Sequence, residues 1–377
     1  MPSIERAYAA VSLSNIRNNV KQIASHIAPG TKIMAVIKAD GYGHGAEKIA
    51  LAVADMDVIW GYAVATATEA LEITALGTGK PVLILGYCYA EDYAAMIENK
   101  IRFTLFDESS LVVMEGVAKS LKKKAYVHIK LDTGMGRIGI RPDASGLDFV
   151  RRVAAQKHIV IEGLFTHFAR ADESDLTSAK EQLKKYREFS DALKAEGIPI
   201  TARHCANSAA ILCMEDTDYD IVRAGIILYG MMPSDEVEAG DVVLTPAMEI
   251  KSRVTYVKEV PPGTPISYGG TYVTKRVSRI ATVSIGYADG YPRSLSNKGI
   301  VLICGQRCPV VGRVCMDQMM VDVTDLNWAV QPGTEVTIVG HDGEEYISME
   351  EFAALSDRIN YEAVCDIGKR VPRIYPE

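Results

Sequence analysis

The sequence has too few cysteines, at the wrong spacing, for a disulfide framework or a zinc site. It contains 7 cysteines, an odd number, and no C-x-x-C pair. Cys304 and Cys308 lie close together, but no further cysteine or histidine stands at zinc-site spacing around them. We therefore predict reduced thiols, a cytoplasmic protein and no bound metal.

Positive charge and long apolar runs are also scarce. The chain has 41 Lys and Arg against 48 Asp and Glu, a net charge of −7. This balance argues against nucleic acid or an anionic membrane as a partner. No apolar run is long enough to cross a bilayer, and residues 1–6 lack the basic and apolar regions of a signal peptide. With 48% hydrophobic residues, the sequence predicts a globular protein with a sizeable core.

The first two thirds of the chain show a regular alternation of apolar strands and helices. We predict strands at residues 33–38, 58–65, 82–86, 102–106, 125–131, 159–165, 200–205 and 219–223. Helices are predicted from about residue 13 toward Ile27 and at residues 45–54, 68–76, 91–99, 108–121, 145–156, 175–196 and 208–214. This alternation is typical of βα units around a parallel sheet. About eight such units, with no Rossmann-type glycine fingerprint after the first strand, favour an α/β fold of the (β/α)8 TIM-barrel type.

The pattern changes near Leu244. Short β runs follow, at residues 247–257, 278–284, 299–304, 308–314, 319–323 and 335–339, with one short helix at 349–355. We therefore predict a TIM-barrel domain at residues 1–240 and a mostly-β domain at residues 241–377. Residues 1–11 are a candidate to pair with the β domain.

Residues 36–45 are the candidate centre of the chemistry. Lys38 ends a predicted buried strand, and Gly41, Gly43 and Gly45 follow it. These glycines allow a positive φ or a close approach to a ligand. Burial would favour the uncharged amine, which is a usable nucleophile. Taken alone, Lys38 would more often be a lysine that reaches from a βα turn to solvent.

Other polar residues fall at the same ends of the predicted strands. Lys130 and Arg137 flank the turn after the fifth strand, His167 follows the sixth, and Arg223 ends the eighth. In TIM barrels, the carboxyl ends of the strands carry the active site. Each residue alone has a structural explanation, such as an ion pair at the barrel rim, but together they indicate a site.

A phosphate site is predicted close to these residues. TIM barrels often bind phosphate after strands seven and eight, where Ser208 and the amides of Gly225 and Ile226 lie. A lysine, a phosphate site and a nearby arginine together suggest pyridoxal phosphate held as a Schiff base.

Several motifs occur in one order along the chain, at residues 36–45, 132–137, 204–210, 222–230, 266–269, 286–290, 312–318, 359–362 and 370–373. In these motifs the chain resembles the alanine racemases of the fold-type III pyridoxal-phosphate family. The resemblance extends from Lys38 to Arg373. It implies an isomerase that interconverts L-alanine and D-alanine with pyridoxal 5'-phosphate and supplies D-alanine for peptidoglycan of the cell wall.

The resemblance implies two catalytic bases, Lys38 and Tyr268, on opposite faces of the substrate. It places His167 and Arg223 beside the phenol, which needs cationic or hydrogen-bonding neighbours to act as a base. Arg223 would face the pyridine nitrogen and keep it unprotonated, so the ring would be a weaker electron sink. A weak sink suits a racemase, because a long-lived carbanion invites transamination.

The remaining site residues come from the resemblance alone. Besides Lys38, His167 and Arg223, the implied cofactor contacts are Tyr42, Leu85, Asn207, Ser208, Gly225, Ile226 and Tyr361. The implied substrate contacts are Arg137, Tyr287, Met316 and Asp317. Lys130 matches a lysine that some members carry as a carbamate, which positions the arginine at 137. The resemblance also implies a homodimer in which each β domain supplies Tyr268 and Met316 to its partner's barrel.

Three other functions stay open from the sequence. A non-catalytic pyridoxal-phosphate-binding protein would resemble the barrel only. A fold-type III decarboxylase would present a glutamate to the pyridine nitrogen, where this chain has Arg223. A serine or broad-specificity racemase is the third, because an apolar pocket rejects a hydroxymethyl group only weakly. Tyr361 favours alanine, since serine racemases can carry a smaller polar residue at that position.

Overall fold

The computed structural model describes residues 5–326 and 329–376, which form two compact units. One unit consists of residues 14–41 and 45–245. The other contains the chain up to Leu13, residues 42–44 and the chain from Pro246 onward. Residues 1–4 of the predicted N-terminal segment lie outside the described residues.

The first unit is a closed barrel of parallel strands. The strand that precedes it, β1 at Ala7–Val11, belongs to the other unit. The eight barrel strands are β2 at Lys32–Val36, β3 at Ile59–Val64, β4 at Val82–Ile84, β5 at Phe103–Leu105, β6 at Ala125–Lys130, β7 at Ile159–Phe165, β8 at Ala202–His204 and β9 at Ile221–Ala224, all in the described part of the chain.

Hydrogen bonds connect these strands all the way round. They pair in two series, β4-β3-β2-β9 and β5-β6-β7-β8. Leu83 bridges Arg102 in parallel at one seam, and the Arg223 amide donates to the Ala206 carbonyl oxygen (3.1 Å) beside the other. The predicted (β/α)8 barrel is thus confirmed.

Helices separate the barrel strands because their apolar residues recur at helical spacing. In the helix Glu108–Leu121, for example, Leu111, Met114 and Ala118 form the buried face. Asp107 caps this helix by accepting a hydrogen bond from the Ser110 amide (2.9 Å). The helices are Leu13–His26, Ala46–Val53, Ala67–Ala75, Tyr93–Glu98, Glu108–Leu121, Ala144–Ala154, Thr177–Ala195 and Ser208–Cys213.

The second unit is rich in strands. Its further strands are β10 at Met248–Val260, β11 at Pro265–Ile266, β12 at Tyr272–Val273, β13 at Ser278–Val283, β14 at Ile300–Ile303, β15 at Gln306–Pro309, β16 at Met319–Asp322, β17 at Glu335–Asp342, β18 at Glu345–Ile347 and β19 at Arg373–Ile374. The main path through its large sheet runs β15-β14-β17-β10-β1-β19, and β13, β16 and β18 extend it at the side. β1 pairs antiparallel with β10 and parallel with β19, so the N-terminal strand is part of this sheet.

Several elements of this unit differ from the sequence prediction, among them the short strands β11, β12, β18 and β19, one hairpin strand and one helix. The strand predicted at residues 308–314 lies instead at Gln306–Pro309, after a two-residue turn. Cys304 and Gly305 in that turn both have positive φ, 51° and 72°, as a tight hairpin requires. A helix at Asn360–Cys365 follows the predicted helix Met349–Leu355. Six residues are too few to produce a recognisable helical period in the sequence.

Within the described residues, no helix combines the length and apolar character that crossing a membrane requires.

Candidate active site

The segment after β2 is a left-handed turn that begins at Lys38. The predicted strand 33–38 is shorter in the structure, because β2 ends at Val36. Ala39, Asp40 and Gly41 have φ from 52° to 61°, and Tyr42 has φ 51°. Each non-glycine residue in this region costs roughly 1–2 kcal/mol, so the surrounding structure must impose the turn.

Hydrogen bonds hold the turn in this conformation. The Gly41 amide donates to the carbonyl oxygen of Ile37 (2.8 Å), and Asp40 accepts from the Ala46 amide (2.9 Å). Glu69, in the helix after β3, accepts from the Ala39 amide (2.7 Å). Strain of this kind is typical of functional sites, and here it begins at the carboxyl end of β2.

Arg223, at the end of β9, is buried inside the barrel and bound on two sides. Its Nη1 donates to the Nδ1 (2.9 Å) and the carbonyl oxygen (3.1 Å) of His204. Its Nη2 donates to the carbonyl oxygens of Thr166 (2.8 Å) and Cys205 (2.9 Å), and to Nδ1 of His167 (3.3 Å).

The guanidinium of Arg223 remains charged and keeps one donor for a ligand. Burial lowers the pKa of Arg223 to about 10, so it is protonated at neutral pH. No acceptor among the described residues bonds its Nε–H. Arg223 is therefore a fixed cation with a single donor available.

Four cations surround His167, which follows β7. Burial lowers the pKa of His167 well below its ordinary value, and the charges of Arg223, Arg137, Lys130 and Lys38 lower it further. These effects show that the predicted barrel residues are brought together. His167 is neutral at neutral pH, and because its Nδ1 accepts from Arg223, its proton resides on Nε2.

Lys130, the last residue of β6, is buried in the same cluster. Its Nζ donates to the carbonyl oxygen of Leu131 (2.5 Å) and lies 5.5 Å from the centroid of the Phe165 ring. Burial, assisted by the charge of Arg223, lowers the pKa of Lys130 to about 7. About half of this amine is therefore uncharged at neutral pH.

The loop that carries Arg137 is built around Asp132. Its carboxylate accepts hydrogen bonds from the amides of Gly134 and Gly136, each at 3.0 Å. Gly139 has φ 130°, and a Cβ there would lie 2.6 Å from the Asp132 amide nitrogen. The loop therefore needs glycine at this position, and it presents Arg137 as an exposed side chain.

The predicted phosphate residues adjoin one another after β8 and β9. Asn207 caps the helix Ser208–Cys213 by accepting from the Ala210 amide (3.0 Å). The Gly225 amide donates to Oγ of the buried Ser208 (2.9 Å), and Ile226 begins a short 3-10 turn. Leu85 is half-buried just beyond the end of β4.

The second unit contains the other predicted residues. Tyr268 is 70% exposed, in a turn that follows Ser267 at φ 64°. Oγ of Ser267 donates to the Arg313 carbonyl oxygen (2.6 Å), which connects this turn to the segment that contains Met316. The Tyr287 amide donates to the Cys315 carbonyl oxygen (3.1 Å). The segments that contain Tyr268, Tyr287 and Met316 are thus adjacent.

Charged and aromatic contacts fix the remaining residues of this unit. Asp317 accepts from Arg370 (2.7 Å), which also pairs with the fully buried Asp289 (3.4 Å). The rings of Tyr42 and Tyr361 lie 6.1 Å apart, so these two predicted cofactor contacts are neighbours.

Two residues of the barrel interior were not predicted, His128 and Glu162. They lie in β6 and β7, and His128 bonds both Glu162 (3.1 Å) and His204 (2.8 Å). A titratable residue within an apolar parallel strand was the signal that could have identified them.

Comparison with known proteins agrees with this geometry. The family described as "Alanine racemase, N-terminal domain" matches residues 11–233, and "Alanine racemase, C-terminal domain" matches residues 247–375. The chain belongs to the alanine racemase family. The resemblance seen in its motifs is thereby confirmed, and the chain is an isomerase that racemises alanine.

Individual alanine racemases match this chain along nearly its whole length. That of Desulforamulus reducens is 45% identical over 98% of this chain and 99% of its own length. That of Methanococcus maripaludis is 44% identical, with 98% of each chain covered. The solved alanine racemase of Clostridium difficile superposes with a TM-score of 0.95 at 40% identity, over 100% of this chain and 97% of that one. That of Bacillus anthracis with bound L-Ala-P has a TM-score of 0.92 at 37% identity, over 100% and 96%.

Proposed function

We propose that this alanine racemase uses pyridoxal 5'-phosphate and two bases, Lys38 and Tyr268. We further propose that the enzyme is cytoplasmic and that it supplies D-alanine for peptidoglycan. The observation that supports the proposal best is the convergence of Lys38, Arg137 and Arg223 on the neutral His167. An amino acid carries a carboxylate and a phosphorylated cofactor carries a phosphate, and such a cluster attracts both negative groups.

The residues present fit the proposed cofactor. Lys38 offers a primary amine for the aldehyde. Ser208 and Ile226 offer a hydroxyl and a backbone amide for the phosphate, and the Gly225 amide orients that hydroxyl. The Nε–H of Arg223 is the donor left for the ring nitrogen. When bound, pyridoxal phosphate withdraws electrons from the substrate Cα and so makes its proton acidic.

Lys38 and Tyr268 would then exchange protons with Cα from opposite faces. In one direction the Lys38 amine removes the proton and the Tyr268 phenol donates one to the other face, which inverts the configuration. In the other direction the Tyr268 phenolate removes it and the Lys38 ammonium donates. Because His167 is neutral, it offers the phenol an N–H donor and no charge, and Arg223 is the cation that would favour the phenolate.

Arg223 would also limit side reactions. A guanidinium does not give up its proton to a pyridine nitrogen, so the ring stays unprotonated and accepts fewer electrons. The substrate carboxylate would bind Arg137 and the Met316 amide, with Tyr287 and Asp317 nearby. Tyr42, Leu85, Asn207 and Tyr361 complete the proposed contacts.

We further propose a homodimer whose sites combine residues of both chains. Tyr268, Met316 and Tyr287 are 70%, 52% and 43% exposed, which is unusual for large apolar or aromatic side chains. Docking on a partner's barrel would cover them and supply the second base.

Two measurements test the proposed function. Borohydride reduction of the cofactor-loaded enzyme should fix the cofactor mass to Lys38, and attachment at Lys130 would refute the assignment. Initial rates with both enantiomers of alanine, serine, lysine and arginine should be highest for alanine. A higher kcat/KM for serine would contradict the restriction that we attribute to Tyr361.

A further inference from the structure

Four side chains form a continuous hydrogen-bonded line across the barrel interior. Glu162 of β7 bonds Nε2 of His128 in β6 (3.1 Å), and Nδ1 of His128 bonds Nε2 of His204 in β8 (2.8 Å). Nδ1 of His204 in turn bonds Nη1 of Arg223 in β9 (2.9 Å). Both imidazoles are fully buried. We infer that Glu162 anchors this line: it accepts from His128, so that both histidines keep the Nε2–H tautomer and hold the guanidinium of Arg223.

The residues at the two ends, Glu162 and Arg223, decide in which direction the hydrogen bonds are donated along the line. Although burial raises the pKa of Glu162, hydrogen bonds from His128 and Arg102 outweigh it and lower that pKa to about 2. An ionised carboxylate can only accept, and a guanidinium can only donate. His128 must therefore carry its proton on Nε2 and accept at Nδ1. His204 must do the same, so that its bare Nδ1 faces Arg223.

The opposite tautomers would lose a hydrogen bond at both ends of the line. With protons on Nδ1, His128 would turn a bare nitrogen toward the Glu162 carboxylate, and His204 would turn an N–H toward the N–H of Arg223. Each mismatch leaves a buried polar group without its bond, which is strongly unfavourable. Burial also lowers the pKa of both histidines, so a second proton on either ring is disfavoured.

Packing holds both imidazole rings in these orientations, so neither ring can rotate to exchange its two nitrogens. The His204 ring stacks on Phe165, with centroids 4.8 Å apart and planes at 7°. His128 packs edge-on against Trp60, at 5.7 Å, and lies directly over Gly163. A Cβ at Gly163 would come within 2.3 Å of Nδ1 of His128, so only glycine leaves room for this ring.

These hydrogen bonds fix the orientation of the Arg223 guanidinium. The bare Nδ1 of His204 holds Nη1, and carbonyl oxygens hold Nη2, which leaves Nε–H as the remaining donor. Glu162 and His128 are therefore positioning residues, which act three and two hydrogen bonds away from the guanidinium of Arg223. This deepens the proposed function, since it rests on the role proposed for Arg223 at the ring nitrogen.

The test is ¹⁵N NMR of the histidine-labelled, cofactor-loaded protein without substrate, which is independent of catalysis. The chain has 7 histidines, and the variants His128→Gln and His204→Gln assign the two signals. We expect a neutral Nε2–H tautomer for both rings in the unaltered chain. An Nδ1–H or doubly protonated ring at either position would overturn the inference, whatever the role of Arg223.

Variants at Glu162 then test whether its carboxylate anchors the line. Glu162→Met leaves the buried Nε2–H of His128 without its acceptor, while Arg223 still requires a bare Nδ1 on His204. We therefore expect a changed ¹⁵N shift of His128 Nε2 and a kcat/KM for alanine that is lower by roughly tenfold. Glu162→Gln keeps an acceptor and should restore both. Arg102→Gln is the matched control, because it removes the ion pair with Glu162 and leaves the carboxylate to accept from His128. An unchanged His128 Nε2 signal in Glu162→Met would overturn the inference.

Activity separates this inference from the proposed function. If the His128 Nε2 signal changes in Glu162→Met as expected while Arg223→Lys racemises alanine at the unaltered rate, the proposed role of Arg223 is wrong and the hydrogen-bonded line stands. If kcat/KM falls equally in Glu162→Met, Glu162→Gln and Arg102→Gln, the effect is a general loss of structure and positioning by Glu162 is refuted.

Discussion

Lys130 is expected to react with carbon dioxide. Its pKa of about 7 leaves about half of the amine uncharged at neutral pH, on the order of a thousandfold more than for an exposed lysine. The amine nitrogen would bond the carbon of carbon dioxide and release one proton to solvent, forming an anionic carbamate. The positive charges of Arg223 and Arg137, which help to lower this pKa, would stabilise that anion.

The assay is ¹³C NMR of the protein equilibrated with labelled bicarbonate, with mass analysis under mild conditions. We expect one carbamate signal per chain, which disappears on acidification and in the variant Lys130→Met. Lys251 is the matched control, since it is also buried but its Nζ pairs with the Glu249 carboxylate at 3.3 Å. A signal that persists in Lys130→Met, or none at all in the unaltered chain, would refute the reasoning.

The carbamate should also affect substrate binding. It would give Arg137 an anionic neighbour and hold it in place for the substrate carboxylate. Without it, Lys130→Met should raise the KM for alanine by roughly tenfold, with a smaller change in kcat. If kcat fell by as much as kcat/KM, Lys130 would instead act on the chemical step.

Three other predictions follow from the site. Arg223→Glu should let the ring nitrogen gain a proton, so that racemisation falls and transamination to pyruvate rises; unchanged rates would show that Arg223 does not face the ring. Lys38→Ala and Tyr268→Phe should each be nearly inactive, yet after subunit exchange their mixture should recover up to roughly a quarter of the unaltered activity. A mixture that stays inactive despite proven exchange would place both bases in one chain. Because burial lowers the pKa of His128 and His204, the unfolded chain binds protons below about pH 6.5 that the folded chain does not. As the pH is lowered below about 6.5, the free energy of unfolding should therefore decrease by up to about 1.4 kcal/mol per pH unit for each imidazole. An equal urea midpoint at about pH 7.5 and about pH 5.5 would contradict this.

Local patterns were sufficient for most elements of the barrel. The strand Ile159–Phe165 and the helix Glu108–Leu121 have the predicted bounds, because apolar runs and helical periods are properties of neighbouring residues. Such patterns left the pairing of residues 1–11 with the β domain only a candidate, because β10, the partner of β1, lies more than two hundred residues away along the chain. Local patterns also did not predict the left-handed turn at Ala39 and Asp40, because neither residue type favours positive φ strongly enough to indicate one.

The sequence by itself determined which side chains are available for chemistry and at which strand ends they lie. Lys38, Lys130, His167 and Arg223 could be chosen in this way, because all parallel strands of a barrel end on the same face. Only the tertiary structure decided their chemical state. The low pKa of Lys130 comes from burial and from Arg223, far away in the sequence. The available Nε–H of Arg223 likewise depends on acceptors from the ends of two strands, β7 and β8. Charge and hydrogen bonding depend on distances through space, which a linear sequence does not specify.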